Sequence, residues 1–204
     1  MEKPIFFNSI TIKLPKEKIY KRLGYKSKVT RLSKIKQKEI EKYIRDALLF
    51  IELKGAALIT KIERKPKGAA IGGKVFKSKL LLALLKNSAD VLLCGVTAGS
   101  RIMDEIKKCE QLDLTRAVIF DAVASEMADS AFSWITDYFN RGMLKERKCL
   151  TKKRISCGYH DFSIKYQKDI YNLLKIKKIG VGITKSYMLL PEKSATAVLG
   201  VIDI

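Results

Sequence analysis

Several residue types are scarce in this chain, and their scarcity excludes whole classes of protein. One histidine, His160, and four cysteines without a C-x-x-C pair are too few ligands in the usual spacing for a structural zinc site. The longest apolar runs, Leu80–Leu85 and Ala47–Ile51, fall well short of the roughly 18 residues of a membrane span. The N-terminus has no basic-then-apolar signal segment. These absences predict a cytoplasmic protein with reduced cysteines, no metal ligands and no membrane partner.

Acidic residues are also outnumbered, and the chain carries a net charge of +20. Most of the excess lies in residues 1–90, and the densest stretch, Lys13–Lys38, has eleven basic residues against one acid, Glu17. Such a field attracts nucleic acid, anionic membranes or acidic proteins. Lysine enrichment is also a common compositional bias, and the stretch has few of the aromatics that nucleic-acid readers use. A basic nucleic-acid-binding protein is therefore an alternative that the sequence does not favour.

The 204 residues, 47% of them hydrophobic and 30% charged, have the composition of one globular domain. We predict a single domain over residues 1–204. A basic N-terminal arm and helix would occupy residues 1–55, and the core would occupy residues 56–204.

Capping residues and apolar periodicity predict five helices. Ser33, Ser78, Asp113 and Ser163 are the expected N-caps, and Gly55 is the expected stop of the first helix. The predicted helices run from Ser33 to about Lys54, over Leu80–Leu85, over Arg101–Glu110, from Asp113 to about Arg141, and from Ser163 to Leu174.

Apolar runs between these helices predict strands. They lie at Ala57–Ile62, Ile71–Phe76, Asp90–Val96, about 179–188 and about 195–204. Strands and helices do not alternate strictly, which favours an α+β fold over a doubly wound parallel sheet. We expect a mixed, mainly antiparallel twisted sheet with helices packed on it.

Three segments, in this order along the chain, resemble motifs of one family. Asp121–Asp129 is similar to an Ala-rich helix with a ligand-contacting carboxylate. Arg154-Ile155-Ser156-Cys157-Gly158-Tyr159 resembles an R-x-x-x-G-Y motif, and 182–196 resembles a T-x-S-x-x-M-x-P-x-x-S-V-S segment. All three motifs belong to the S-adenosylmethionine-binding activation domain of cobalamin-dependent methionine synthase.

The resemblance implies a fold and a function. It implies an activation module of a split methionine synthase, a methyltransferase component that is active only with a cobalamin-binding partner chain. In that family the domain binds S-adenosylmethionine. One electron from flavodoxin or an equivalent donor and the methyl group of S-adenosylmethionine then reactivate cob(II)alamin. Activation of another corrinoid protein is an alternative that differs only in the partner.

The same resemblance assigns ligand contacts to five residues, and their chemistry fits. Arg154 suits the ligand carboxylate through a bidentate hydrogen bond, and Asp129 suits the ammonium. The Ser156 backbone would meet the adenine or ribose edge, the Gly158 backbone would pass close to the ligand, and Tyr159 would pack against it. No catalytic side chain is expected, because methyl transfer to cobalt needs positioning and no general base.

The sequence departs from the family at two positions near the arginine. Cys157 stands where the family tends to have proline, and Lys148 stands where long synthases have an acid. The basic stretch Lys13–Lys38 is expected to be exposed, to lie apart from Arg154 and to speed encounter with an acidic partner. Reversing the charges of Lys21, Lys28, Lys34 and Lys38 tests that expectation.

Overall fold

Nine strands form the framework of the computed structural model, which describes residues 3–25 and 29–204. Seven of them build one antiparallel sheet in the order β4-β3-β2-β5-β9-β6, with β1 paired to the start of β2, and β7 and β8 form a separate hairpin. The strands are β1 (Ile5–Phe7), β2 (Lys54–Lys65), β3 (Gly68–Ile71), β4 (Lys74–Phe76), β5 (Asp90–Thr97), β6 (Lys148–Leu150), β7 (Gly182–Ile183), β8 (Leu189–Leu190) and β9 (Ser194–Asp203).

Helices cover both faces of this sheet. The helices are α1 (Lys16–Arg22), α2 (Lys34–Leu48), α3 (Lys79–Leu84), α4 (Arg101–Leu112), α5 (Leu114–Met143) and α6 (Gln167–Leu174). Short 3-10 turns stand at Leu144–Glu146, Ile164–Tyr166 and Ile176–Ile179. The α+β prediction, with a mainly antiparallel sheet and packed helices, is therefore confirmed.

Strand side chains alternate between two hydrophobic clusters because successive residues of a strand point to opposite faces. Leu92, Cys94 and Val96 of β5 pack on the first face beneath α2, α4 and α5. Val91 and Leu93 pack on the second face with α3 and α6. Alternate residues along a strand therefore place their side chains against different sets of helices.

Local capping chemistry positions three of the helices as predicted. The Ser33 hydroxyl accepts a hydrogen bond from the Lys36 amide at 3.2 Å, and the Ser78 hydroxyl accepts one from Leu81 at 3.0 Å. The Asp113 carboxylate accepts one from the Arg116 amide at 3.0 Å at the start of the 30-residue α5. Ser, Thr and Asp caps of this kind satisfy amides that have no partner inside the helix.

Gly55 is not a helix stop, which corrects the prediction. The helix α2 ends at Leu48, and Gly55 lies in β2 opposite Val96 of β5. A Cβ at Gly55 would lie 2.8 Å from the Ile135 side chain. The end of the Ile135 side chain would have to shift to make room for a Cβ, so the glycine accommodates the close approach of α5 to the sheet.

Two further strand predictions are wrong in detail. The segment 71–76 is not one strand, because Gly72 and Gly73 have φ of 55° and 79° and form the turn of the β3–β4 hairpin. The segment 179–188 is mostly irregular, because Gly180 has φ of 84° after a 3-10 turn and only Gly182–Ile183 is a strand.

Within residues 3–25 and 29–204, no helix is both long and apolar enough to cross a bilayer. The same residues contain no group of three or more His, Cys, Asp or Glu side chains placed to hold a metal ion.

Candidate functional site

The segment that carries Arg154 runs along the outer edge of the sheet, beside β9. Past β6, the Ile155 amide donates to the Val198 carbonyl at 3.1 Å, and the Val198 amide donates back to Ile155 at 2.8 Å. Ile155 packs against the second-face cluster. Arg154 therefore points to the opposite face, toward α5.

Arg154 meets Asp129 of α5 in a direct ion pair. Its Nη2 atom donates to Asp129 Oδ1. The guanidinium carbon lies 4.9 Å from the ring centroid of Phe132, three residues after Asp129 on the same helix face. The side chains of Arg154 and Asp129 are 32% and 40% exposed, so solvent and ligands reach both charges.

The N-terminal helix α1 lies against the same part of α5. Lys18 Nζ is 3.8 Å from Asp129 Oδ2, and Arg22 Nε donates to Glu126 Oε1 at 2.6 Å. The expectation that the Lys13–Lys38 stretch lies apart from Arg154 is therefore wrong, because Lys18 shares Asp129 with Arg154. The described lysines of the stretch are exposed, as expected; Lys26 and Lys28 lie outside the described residues.

A tight turn follows Arg154 and carries Gly158 and Tyr159. The Gly158 amide donates to the Phe162 carbonyl at 2.7 Å, and the Phe162 amide donates to Tyr159 at 2.9 Å. Gly158 has φ of 94°, a left-handed conformation that favours glycine. The turn leaves the Tyr159 residue 64% exposed.

Asp161 fastens this turn to the start of α3. Its carboxylate accepts hydrogen bonds from the Ser78 hydroxyl at 2.8 Å and from the amides of Lys79 and Leu80 at 2.5 and 3.2 Å. The Ser78 hydrogen bond, followed by those from the amides, lowers the pKa of Asp161 from its ordinary value. The ionised carboxylate therefore holds the Gly158–Tyr159 turn in place.

Cys157 is part of the core beneath the turn. It packs in the second-face cluster with Phe162, and burial raises the pKa of its thiol to about 12. The thiol is protonated at neutral pH and is not a nucleophile. Lys148, the other departure from the family pattern, lies 3.3 Å from Glu146 at the surface.

The three segments that resemble the family meet in space. Lys193, just before β9, places Nζ 2.6 Å from Asp121 Oδ1 on α5, and Arg154 pairs with Asp129 on the same helix. The third segment begins with the β7–β8 hairpin, whose turn is closed by a hydrogen bond from the Met188 amide to the Thr184 hydroxyl at 3.0 Å. α5 is thus tied to the other two segments by one ion pair each.

Of the five candidate residues, the structure brings Asp129 and Arg154 into contact. Ser156 is half-buried and, like exposed Gly158 and Tyr159, follows Arg154 directly in the chain. Within the described part of the chain, none of these three hydrogen-bonds to Asp129 or Arg154. The candidate residues therefore form a charge pair and, four residues after Arg154 along the chain, an exposed turn.

Sequence reasoning missed Phe132 and Glu126. Phe132 is 4% exposed and lies beneath the guanidinium of Arg154, and its i, i+3 spacing from Asp129 could have indicated this. Glu126 is 8% exposed and pairs with Arg22, and no sequence pattern indicated that this acid is buried.

Of the comparisons with known proteins, the one with solved structures agrees with this fold. No family model matches the chain, and no curated protein matches it. Among solved structures, it is similar to the crystal structure of the MetH reactivation domain bound to AdoHcy, with a TM-score of 0.62 and 14% sequence identity. The match covers 94% of this chain and 70% of that chain. At this level of identity, the similarity establishes the fold.

Proposed function

We propose that this chain binds S-adenosylmethionine and acts as a reactivation module for cobalamin-dependent methionine synthase, working on a cobalamin-binding partner chain in the cytoplasm. One observation carries the proposal. Arg154, which pairs with Asp129, lies four residues before the exposed Gly158–Tyr159 turn along the chain, in a fold similar to that of a reactivation domain bound to AdoHcy.

The charges at the site fit the amino-acid end of S-adenosylmethionine. That end carries one ammonium and one carboxylate, and Asp129 and Arg154 carry the complementary charges side by side. An incoming ligand would exchange one internal ion pair for two ligand ion pairs. Both side chains are partly exposed, so this exchange needs no opening of the core.

The surrounding residues act by positioning. Phe132 lies against the guanidinium of Arg154, which favours a fixed plane for a bidentate contact with a carboxylate. The exposed ring of Tyr159 is free to pack on the nucleoside, and the Ser156 and Gly158 backbone lies in the adjoining turn. None of these groups has to move a proton during methyl transfer.

When bound, S-adenosylmethionine supplies the methyl group that, with one electron from a reductant, converts inactive cob(II)alamin to methylcobalamin and leaves S-adenosylhomocysteine. In this proposal the cobalamin is held by the partner chain, and the reductant is a flavodoxin-like or other electron donor. The role of this chain is to hold the sulfonium end of the ligand toward that partner.

Calorimetric titration of the wild type and Arg154→Ala with S-adenosylmethionine tests the ligand. We expect Arg154→Ala to weaken binding by about 10- to 100-fold, the value of a hydrogen bond between charged groups. Arg141→Ala, which removes an exposed arginine from the same helix as Asp129, is the matched control and should bind as the wild type does.

Titration with a second ligand distinguishes contacts to the amino-acid end of S-adenosylmethionine from contacts to its nucleoside. 5′-Methylthioadenosine lacks the amino-acid end, so its affinity should be the same for the wild type, Arg154→Ala and Asp129→Asn. The absence of S-adenosylmethionine binding by the wild type, with and without a cobalamin-binding partner, contradicts the proposal. Reactivation of a corrinoid protein other than methionine synthase would retain the ligand and change the partner.

A further inference from the structure

A second concave site lies at the N-terminal side of the molecule, and its lining residues belong to 13–25 and 29–37. Its volume is about 1090 Å³, slightly above the roughly 300–1,000 Å³ typical of small-molecule sites. None of the five residues assigned to the S-adenosylmethionine site lines it. The proposed function leaves this cavity unused.

The lining of the cavity is strongly basic. Four lysines line it, Lys13, Lys16, Lys18 and Lys21, against a single acid, Glu17. Lys16 pairs with Glu41 at 2.6 Å and Lys18 approaches Asp129 at 3.8 Å, whereas Lys13 and Lys21 make no ion pair within residues 3–25 and 29–204. Several lysines converging on one concave space favour a ligand with more than one negative charge.

The lining of the cavity also contains apolar and aromatic side chains. Leu14, Leu32, Tyr20 and Tyr25 line it and pack against the first-face cluster. The two tyrosine rings have centroids 5.8 Å apart with planes at 56°. Such a lining accepts a flat ring, since stacking on tyrosine does not depend on which base the ring belongs to.

Tyr20 adds an unmet polar group. Its hydroxyl is buried and has no hydrogen-bond partner among the described residues, and burial raises the pKa of the phenol. A buried donor without a partner costs free energy, which a ligand acceptor would recover.

We propose that this cavity binds a nucleoside polyphosphate, with the phosphates on the lysines and the base on the tyrosines. Lysines and tyrosines in the lining of one cavity match a ligand that has a multiply charged end and a flat ring. A flat acidic protein surface would not need a concave site with tyrosines in its lining. Lys18 brings the cavity close to Asp129, but the lining contains none of the five residues assigned to the S-adenosylmethionine site, and the proposal does not depend on the proposed function.

Calorimetric titration of the full chain with ATP, inorganic triphosphate and adenosine, at about 0.15 M salt, tests the proposal. We expect ATP to bind at one site, and each fragment to bind at least about tenfold more weakly than ATP, because inorganic triphosphate engages only the lysines and adenosine only the tyrosines. Lys13→Glu/Lys21→Glu should weaken ATP at least about tenfold through lost attraction and added repulsion.

The controls distinguish binding in this cavity from a general effect of the net charge on ATP affinity. Lys67→Glu/Lys86→Glu makes the same change in net charge at exposed positions away from the cavity, and ATP affinity should stay within about threefold. Tyr25→Ser should weaken ATP and adenosine and leave inorganic triphosphate unchanged. Circular dichroism of each variant confirms that it is folded.

Three results overturn the proposal. One is the absence of ATP binding by the wild type. Another is an equal loss of affinity in the control pair, which would mean that ATP senses only net charge. The third is a single-stranded oligonucleotide that binds far more tightly than ATP with a steep salt dependence, which would assign the surface to nucleic acid.

Discussion

Gly158 shows, at the scale of single residues, how one backbone conformation shapes the candidate site. Its φ of 94° turns the chain so that the next residue, Tyr159, faces solvent. A Cβ at Gly158 would meet only the end of the Ile164 side chain, at 3.6 Å. The need for glycine here is therefore conformational, and space is not the limiting factor.

Replacing Gly158 by alanine should lower the free energy of unfolding by about 1–2 kcal/mol, the cost of a left-handed conformation for a residue with a Cβ. The matched control is Gly142→Ala in α5, where no atom lies within 4 Å and φ is not positive. That change should raise the free energy of unfolding by roughly 0.5–1 kcal/mol. Urea unfolding followed by circular dichroism measures both, and equal effects at the two positions would contradict the argument.

The candidate residues could be selected from the sequence, but their pairing could not. Arg154 and Asp129 are 25 residues apart, and only Asp129 lies on α5. They meet because the Arg154 side chain points to the face of the sheet that α5 covers, whereas the next residue, Ile155, points to the opposite face. The contact of α1 with Asp129 is also a tertiary contact between distant parts of the chain, and no local pattern near Lys18 predicts it. The prediction that the basic stretch lies apart from the site failed for this reason.

At the scale of elements, the short helix α1 contacts α5 through a buried apolar side chain and two ion pairs, the exposed Lys18–Asp129 pair and the Arg22–Glu126 pair. Ile19 is fully buried in the first-face cluster. The Glu126 side chain is 10% exposed, and its partner Arg22 is 47% exposed. Because Glu126 is shielded from water, its charge depends on Arg22 for compensation.

A double-mutant cycle tests this dependence. Arg22→Met alone should lower the free energy of unfolding by about 1–3 kcal/mol, because it leaves a charge buried without its partner. Arg22→Met/Glu126→Leu should recover most of that loss, since replacing both charges by apolar groups is often nearly neutral. Lys108→Met, which breaks the surface pair with Glu105, should have a much smaller effect. A double variant less stable than Arg22→Met would contradict the argument.

Elements with local determinants were the predictable ones. Helices α2, α3 and α5 begin at the serine and aspartate caps seen in the sequence, because a cap acts within three residues. Gly55 was wrongly assigned as a helix stop because it lies against Ile135, a residue 80 positions later in the chain. The Gly72–Gly73 turn was locally encoded, and the prediction overlooked it.

At the scale of the whole molecule, the positive charge is concentrated on the N-terminal side, next to the candidate site. The described lysines of Lys13–Lys38 are exposed, and Lys18 reaches Asp129. A partner attracted to this surface would therefore arrive beside Asp129, which pairs with Arg154. The assignment of residues 1–204 to a single domain stays a prediction.

Reversing the exposed charges of Lys34 and Lys38 should slow reactivation of an acidic cobalamin-binding partner several-fold at low salt, because attraction speeds encounter. The difference should vanish at about 1 M salt, where the screening length is about 3 Å. S-adenosylmethionine affinity, measured by calorimetry, should not change. Lys67→Glu/Lys86→Glu is the control, and equal slowing by both pairs would mean that net charge alone matters.

The single tryptophan, Trp134, gives the long helix α5 a built-in optical reporter. Its indole stacks on Tyr138 with ring centroids 5.8 Å apart and meets the edge of Phe7 in β1 at 5.2 Å. Because Phe7 sits on the strand that pairs with the start of β2, detachment of β1 would expose the indole to water. Tryptophan emission should therefore report whether the N-terminal strand is attached. It would do so from the same helix that carries Asp129, without any added label.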